Sequence, residues 1–209
     1  MSDQNIAETP RQRGRRQRIL EAAAEVFLVQ GFKRTNLDDV IAKAGCSKQT
    51  LYRYFGNKEK LFTAFIENEA HKASQMLVLD DSDLSSYQNT LRQFSINYIN
   101  TYLSAKGRAL VRISVEQANF LPEVAQIFLE KGPGRTYMMV GEYFNKLVEV
   151  GYFQLDDGFQ AAEVFIGMLR GEIFLRAVLL PEYHPTEMEL EQHIELVISL
   201  LFNGCSGNG

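Results

Sequence analysis

The strongest constraint on this chain is a pair of short amphipathic patterns in residues 35–58, TNLDDVIAKAGCSKQTLYRYFGNK, separated by Gly45. Asn36 is a good N-cap, and Asp39 three positions on forms an imperfect capping box. Over about 37–44, Leu37, Val40, Ile41 and Ala44 recur at helical spacing. Gly45 suits a turn that needs positive φ, and Cys46 reads as a small apolar packing residue. Ser47 caps a second helix running to about Phe55. Leu51 and Phe55, four apart, face inward, which leaves Lys48, Gln49, Thr50, Tyr52, Arg53 and Tyr54 outside. Gly56 and Asn57 end the pattern. Two capped helices around a glycine turn, the second presenting polar and aromatic side chains, outline a helix-turn-helix.

Charge supports a nucleic-acid partner for this part of the chain only. Residues 1–60 hold 12 Lys/Arg against 7 Asp/Glu, whereas the remaining residues hold 10 against 19. A basic N-terminal third on an acidic body fits local contact with phosphate. Arg11, Arg13, Arg15, Arg16 and Arg18 add a basic run that is either the solvated start of a helix or an arm toward phosphates. The two cysteines, Cys46 and Cys205, do not suggest a disulfide framework or a metal site. No apolar run reaches membrane-spanning length, and the first ten residues lack the apolar core of a signal peptide. The expectation is a reduced, cytoplasmic protein with no membrane association.

The rest of the chain reads as all-α, with no alternating strand pattern of useful length. Residues 1–10 are expected to be a disordered tail. A helix over about 12–30 carries Ile19, Ala23, Val26 and Phe27 and ends at Gly31, with Phe32 folding back beneath it. A long helix over 58–77, with an apolar stripe from Leu61 to Leu77, links the helix-turn-helix domain (11–57) to a C-terminal domain (58–209). Further helices are expected over about 87–106, 108–119, 122–131, 135–150, 158–179 and 187–202. Gly107, the Gly132-Pro133-Gly134 run, Gly151 and the pair Pro181 and Pro185 mark the breaks.

Residues 15–62 carry Ile19-Leu20-x-Ala22-Ala23, Phe27, Gly31-Phe32, Thr35-Asn36-Leu37, Ile41-Ala42-x-Ala44-Gly45, Ser47-Lys48-x-Thr50-Leu51-Tyr52-x-Tyr54-Phe55 and Lys58-Glu59-x-Leu61. Spread over nearly fifty residues, this pattern resembles the N-terminal domain of the TetR family of bacterial transcription regulators. The resemblance implies a homodimeric, helical DNA-binding regulator, more often a repressor. Its third helix would enter the major groove, and its larger C-terminal domain would dimerise and take a small-molecule effector. Carried over by position, contacts to double-stranded operator DNA fall on Asn36, Ser47, Lys48, Gln49, Thr50, Tyr52, Tyr54 and Lys58. Position 49 is often Gly or Ala in the family, so Gln49 points to base reading particular to this protein; glutamine can pair with adenine in bidentate fashion. Glu116-x-x-x-Phe120-x-Pro122-Glu123, Phe128, Gly132-Pro133, Gly151, Asp157 and Ala161-Ala162 resemble the C-terminal domain of AefR-like members.

Within that domain, Phe94, Tyr98, Tyr102, Phe120, Tyr137 and Phe144 are candidates for an apolar effector pocket, with Glu116 or Arg170 as its polar anchor. The same stripes also suit an ordinary core. Gly167 and Gly171, four apart inside a helix, are expected to permit close helix–helix approach. With Phe165, and with Ile194, Val197 and Leu201 of the last helix, they are the candidate four-helix dimer interface. Catalysis and cofactors are not expected. His71, His184 and His193 are scattered, and the chain has neither a phosphate-cradling glycine loop nor a nucleophile elbow. The competing reading is a helical small-molecule-binding or interaction protein without operator-specific DNA binding.

Overall fold

The computed structural model describes residues 9–205 of the chain, with no strand among them. The helices are α1 (Pro10–Arg34), α2 (Leu37–Ala44), α3 (Lys48–Phe55), α4 (Lys58–Gln75), α5 (Tyr87–Leu103), α6 (Ala105–Gln117), α7 (Pro122–Leu129), α8 (Arg135–Glu149), α9 (Gly158–Leu179) and α10 (Glu187–Cys205). Most of the expected tail lies outside the described residues. Its last two residues are structured: Pro10 is the first residue of α1, and Thr9 caps it through a reciprocal bond pair with Gln12.

The chain divides into two compact units. The first comprises residues up to Glu69 together with Ile113–Ile127; the second comprises Ala70–Arg112 and Phe128 onward. The divisions therefore fall inside α4, α6 and α7, whereas the sequence placed its single boundary between residues 57 and 58.

In the first unit, α1 buries Ile19, Leu20, Ala23 and Phe27, and α4 buries Leu61, Phe62, Phe65 and Ile66. Phe27 meets Phe62 edge-on at 5.0 Å between centroids and Phe65 at 5.4 Å; Phe32 lies 4.8 Å from Phe62. Such aromatic pairs add about 0.5–1.5 kcal/mol each beyond area burial. Gly31 interrupts α1 with non-helical backbone, and one further turn follows it. The expected stop is thus a break within the element.

In the second unit, α8 and α9 form the most extensive helix pair, flanked by α5 and α10. Leu91, Phe94 and Tyr98 of α5 share a core with Val140, Phe144 and Leu147 of α8, Phe165, Ile166 and Leu169 of α9, and Ile194, Val197 and Leu201 of α10. The close approach made possible by glycine occurs at Gly141 and Gly158. A Cβ on Gly141 would fall 2.2 Å from the Phe159 ring, and one on Gly158 would fall 2.3 Å from the Asn145 side chain. Gly167 and Gly171, expected at a helix–helix seam, lie outside this α8–α9 contact within the protomer. A Cβ on Gly167 would meet nothing within 4 Å, and Gly171 is a break in α9 at φ 47°, ψ −158°. The His193 ring from α10 fills the space beside that break, its Nε2 3.1 Å from the Leu169 carbonyl oxygen.

The Gly132-Pro133-Gly134 run also differs from expectation. Instead of breaking the chain it forms one wide π-helical turn, Glu130–Gly134, between α7 and α8. A π-turn suits proline, which has no N–H to contribute to a regular ladder. Met76, placed by its spacing on the α4 stripe, is exposed beyond the helix end.

Gly171→Ala is expected to lower stability by about 1–3 kcal/mol, because a side chain is strained at that φ and collides with the His193 ring. Gly167→Ala, which meets nothing within its own protomer, should cost less than Gly171→Ala. Urea unfolding at one fixed protomer concentration distinguishes the two.

Candidate functional site

The helix-turn-helix is built on caps and one obligatory glycine. The Asn36 side chain accepts from the Asp38 N–H at 3.0 Å and starts α2. Asp39 does not complete a capping box; its carboxylate accepts from the Gln30 side chain of α1. Gly45 closes α2 in the left-handed region (φ 59°, ψ 43°), its N–H bonded to Ala42 and the next N–H, of Cys46, bonded to Ile41. A side chain is disfavoured in that conformation, so the tight turn and this glycine belong together. The Ser47 hydroxyl accepts from the Thr50 N–H at 3.2 Å and lies 2.9 Å from the Thr50 hydroxyl, which fixes the start of α3.

α3 buries Leu51 and Phe55, and the Arg16 guanidinium of α1 lies 5.4 Å from the Phe55 ring centroid. The opposite face carries Lys48, Gln49, Tyr52 and Arg53, all exposed. Lys48 is 3.9 Å from Asp38 with both side chains in solvent, a pairing too weak to withhold the ammonium from a phosphate. Tyr54 is half-buried, with the Arg53 guanidinium 5.4 Å from its ring centroid. Lys58 is placed differently from the others. Its ammonium donates to the Lys33 carbonyl at 3.3 Å and sits 4.8 Å from the Phe32 ring centroid, clamping the start of α4 to the end of α1. Burial depresses its pKa.

A small cleft of about 170 Å³ opens beside the α3 N-terminus, lined by Arg15, Arg18, Cys46, Ser47 and Thr50 among others. Arg15 and Arg18, left ambiguous in the sequence, thus stand beside the positive end of the reading helix. Only the fold brings the α1 arginine run there. Burial pushes the Cys46 thiol up, against the opposing pull of Arg15 and Arg18. A protonated thiol suits a packing residue better than a reactive one.

In the second unit, Phe94, Tyr98, Tyr102 and Phe144 are buried together, with Tyr137 packed against them. Tyr98 and Tyr102 stand 4.5 Å apart between centroids. Arg170 of α9 enters this group: its Nε donates to the Tyr98 hydroxyl at 2.7 Å. The guanidinium carbon lies 5.7–6.0 Å from the ring centroids of Tyr102, Tyr137 and Phe174. Burial drives the Tyr98 phenol well above its ordinary pKa, so it stays neutral. Burial also opposes the Arg170 charge, but the surrounding phenols more than offset that and raise its pKa.

Glu116 and Phe120 fall in the other unit. Both are exposed and belong to the first unit, where the Lys33 ammonium lies 4.7 Å from the Phe120 ring centroid. Helical spacing grouped all the aromatic stripes into one core, whereas α6 ends at Gln117 and the α6–α7 corner packs elsewhere. The dimer candidates also need correction. Phe165, Ile194, Val197 and Leu201 point into the protomer's own core. The apolar residues left in solvent are Val164, Leu175 and Leu179 on α9 and Met188, Leu196 and Leu200 on α10, each more than half exposed. α9 and α10 are apolar on two faces, and a single stripe cannot tell the inner face from the outer.

A capped helix-turn-helix with a polar reading face, joined in one chain to an all-helical body, defines a DNA-binding transcription regulator. The chain belongs to the TetR family. Residues 19–65 match the family described as bacterial regulatory proteins, tetR family, and residues 89–203 match the AefR-like transcriptional repressor, C-terminal domain. A TetR-family regulator structure from Mesorhizobium loti MAFF303099 superposes with a TM-score of 0.89 at 25% identity, covering 95% of this chain and 100% of that one. The flavonoid-responsive regulator FrrA superposes at 0.79 with 31% identity, covering 94% and 99%. The HTH-type regulator YvkB of Bacillus subtilis (strain 168), uncharacterized, is 23% identical over 194 residues, 91% of this chain and 97% of that protein.

Ser47→Ala removes the α3 cap and is expected to lower stability by about 1 kcal/mol, while Ser47→Asp retains most of it. Thermal unfolding followed by circular dichroism measures both.

Proposed function

We propose that this regulator is a homodimeric repressor whose two copies of α3 read an operator with two-fold symmetry and are withdrawn by a small-molecule effector. The exposed Lys48, Gln49, Tyr52 and Arg53, held on a helix anchored by Leu51 and Phe55, carry this reading. Lys48 and the α3 N-terminus serve phosphates, with Arg15 and Arg18 beside them. Gln49 and Tyr52 face base edges, with glutamine suited to adenine. Asn36 and Ser47 act chiefly by capping, and Lys58 by its clamp to Lys33.

The large apolar side chains exposed on α9 and α10, led by Val164, Leu196 and Leu200, support self-association, since several of them on two packed helices mark an interaction surface. Two-fold pairing would set half-sites about one helical turn apart or a multiple of it. For the effector, the support is the aromatic centre around Tyr98, Tyr102 and Arg170, together with a relative whose name declares a response to flavonoids. Release requires that the effector bind more tightly to a form whose two reading helices are mis-spaced for the operator.

Gel-shift titration against the chain's own upstream region and genomic footprints tests the reading. Lys48→Ala is expected to lower the magnitude of the log affinity–log salt slope by about 1, and Gln49→Ala to relax preference at one base position of each half-site. Paired Leu196→Glu and Leu200→Glu substitutions should give a monomer in sedimentation and abolish specific binding. A folded protein with no sequence preference at any salt concentration would overturn the proposal.

A further inference from the structure

In the second unit, the cation at Arg170 lacks the kind of partner its neighbours have. Arg92 pairs with Glu195 and Arg176 with Glu172. Arg108 and Arg112 donate to the carbonyls of Tyr183 and Val178, and Arg135 contacts His71. Arg170 donates from Nε to the Tyr98 phenol, while its Nη2 is enclosed with no hydrogen-bond partner. The groups that act on its charge are the three phenols of Tyr98, Tyr137 and Tyr102, and no carboxylate is among them. Arginine does not discard its proton in proteins, so this charge cannot be relieved by titration. A buried N–H without an acceptor is unfavourable, and an anion brought to Nη2 supplies the missing bond.

The surroundings narrow the choice of anion. Tyr102, Tyr137 and Phe174 present rings to the guanidinium, an environment that takes a flat aromatic body and rejects a small hydrated ion. Tyr137, Phe174 and Arg170 are half-buried, whereas Tyr98 is fully buried and holds Nε in place. α9 breaks at Gly171, immediately after Arg170. Resting on the reading that this unit takes an effector, we propose that the effector is an aromatic anion. Its flat ring lies among Tyr102, Tyr137 and Phe174, and its ionised oxygen accepts from Arg170. Aryl carboxylates and acidic phenols share this chemistry.

Isothermal calorimetry on the full chain tests it with matched probes: naphthoate against naphthamide, and nitrophenol against nitroanisole. The anion of each pair is expected to bind at least about tenfold tighter than its neutral isostere, as a charge-assisted contact requires. Nitrophenol binding should strengthen as pH rises through the probe's own ionisation. Preference for naphthoate alone, or for nitrophenolate alone, would assign the oxygen to a carboxylate or a phenolate; either supports the proposal. Arg170→Met should erase the discrimination within each pair. Arg170→Lys, which keeps the charge, should retain part of it, and Tyr98→Phe should weaken the anion without abolishing the preference. Equal affinity for charged and neutral probes, undiminished anion binding by Arg170→Met, or no binding of any probe by cooperatively folding protein would each overturn the proposal. Such a result with operator binding intact leaves the regulator reading standing; loss of operator binding by the parent chain defeats that reading instead.

Discussion

The structure of the reading head depends on burial of two side chains, Leu51 and Phe55. An eight-residue helix such as α3 is not stable in water by itself, because the cost of nucleating it is not recovered over two turns. Its order comes from tertiary contact with the unit that packs Phe27, Phe62 and Phe65 together. Burying the face at positions 51 and 55 also determines which residues remain outside. Positions 48, 49, 52 and 53 face solvent because their neighbours are held in the core. The Ser47 cap and the left-handed Gly45 then fix where the helix begins and how sharply the chain arrives there.

The second unit works through departures from regular helix. Its main seam between α8 and α9 uses the missing side chains of Gly141 and Gly158. The break at Gly171 interrupts a helix that would otherwise run smoothly past the aromatic centre, and His193 of α10 contacts the carbonyl oxygen of Leu169 beside it. Next to this break stands Arg170, with a phenol as partner and three rings around it. Among the described residues the other arginines of the unit meet a carboxylate, a carbonyl or an imidazole, whereas Arg170 meets a phenol.

The reading head was legible in detail because its signals are local. Caps, a turn glycine and the i, i+4 pair of Leu51 and Phe55 each act within one or two turns of chain. The second unit was legible only as a set of helices. Spacing marked Phe165, Ile194, Val197 and Leu201 as apolar and helical, and they are. It did not say which apolar face looks inward, since both faces of α9 and α10 carry large apolar side chains. For the same reason Glu116 and Phe120 were grouped with residues of another unit. The π-turn at Pro133 had no signal distinct from an ordinary helix end.

The sequence by itself determined the all-helical class, the position of the helix-turn-helix and the outward residues of α3, because those follow from periodicity and capping over short stretches. Only the tertiary structure decided that residues 113–127 pack with the N-terminal unit, that Lys58 clamps α1, and that Arg170 meets a phenol and three further rings and, among the described residues, no acid. Each of these depends on which distant segment occupies a given face, and helical spacing is the same whatever stands opposite.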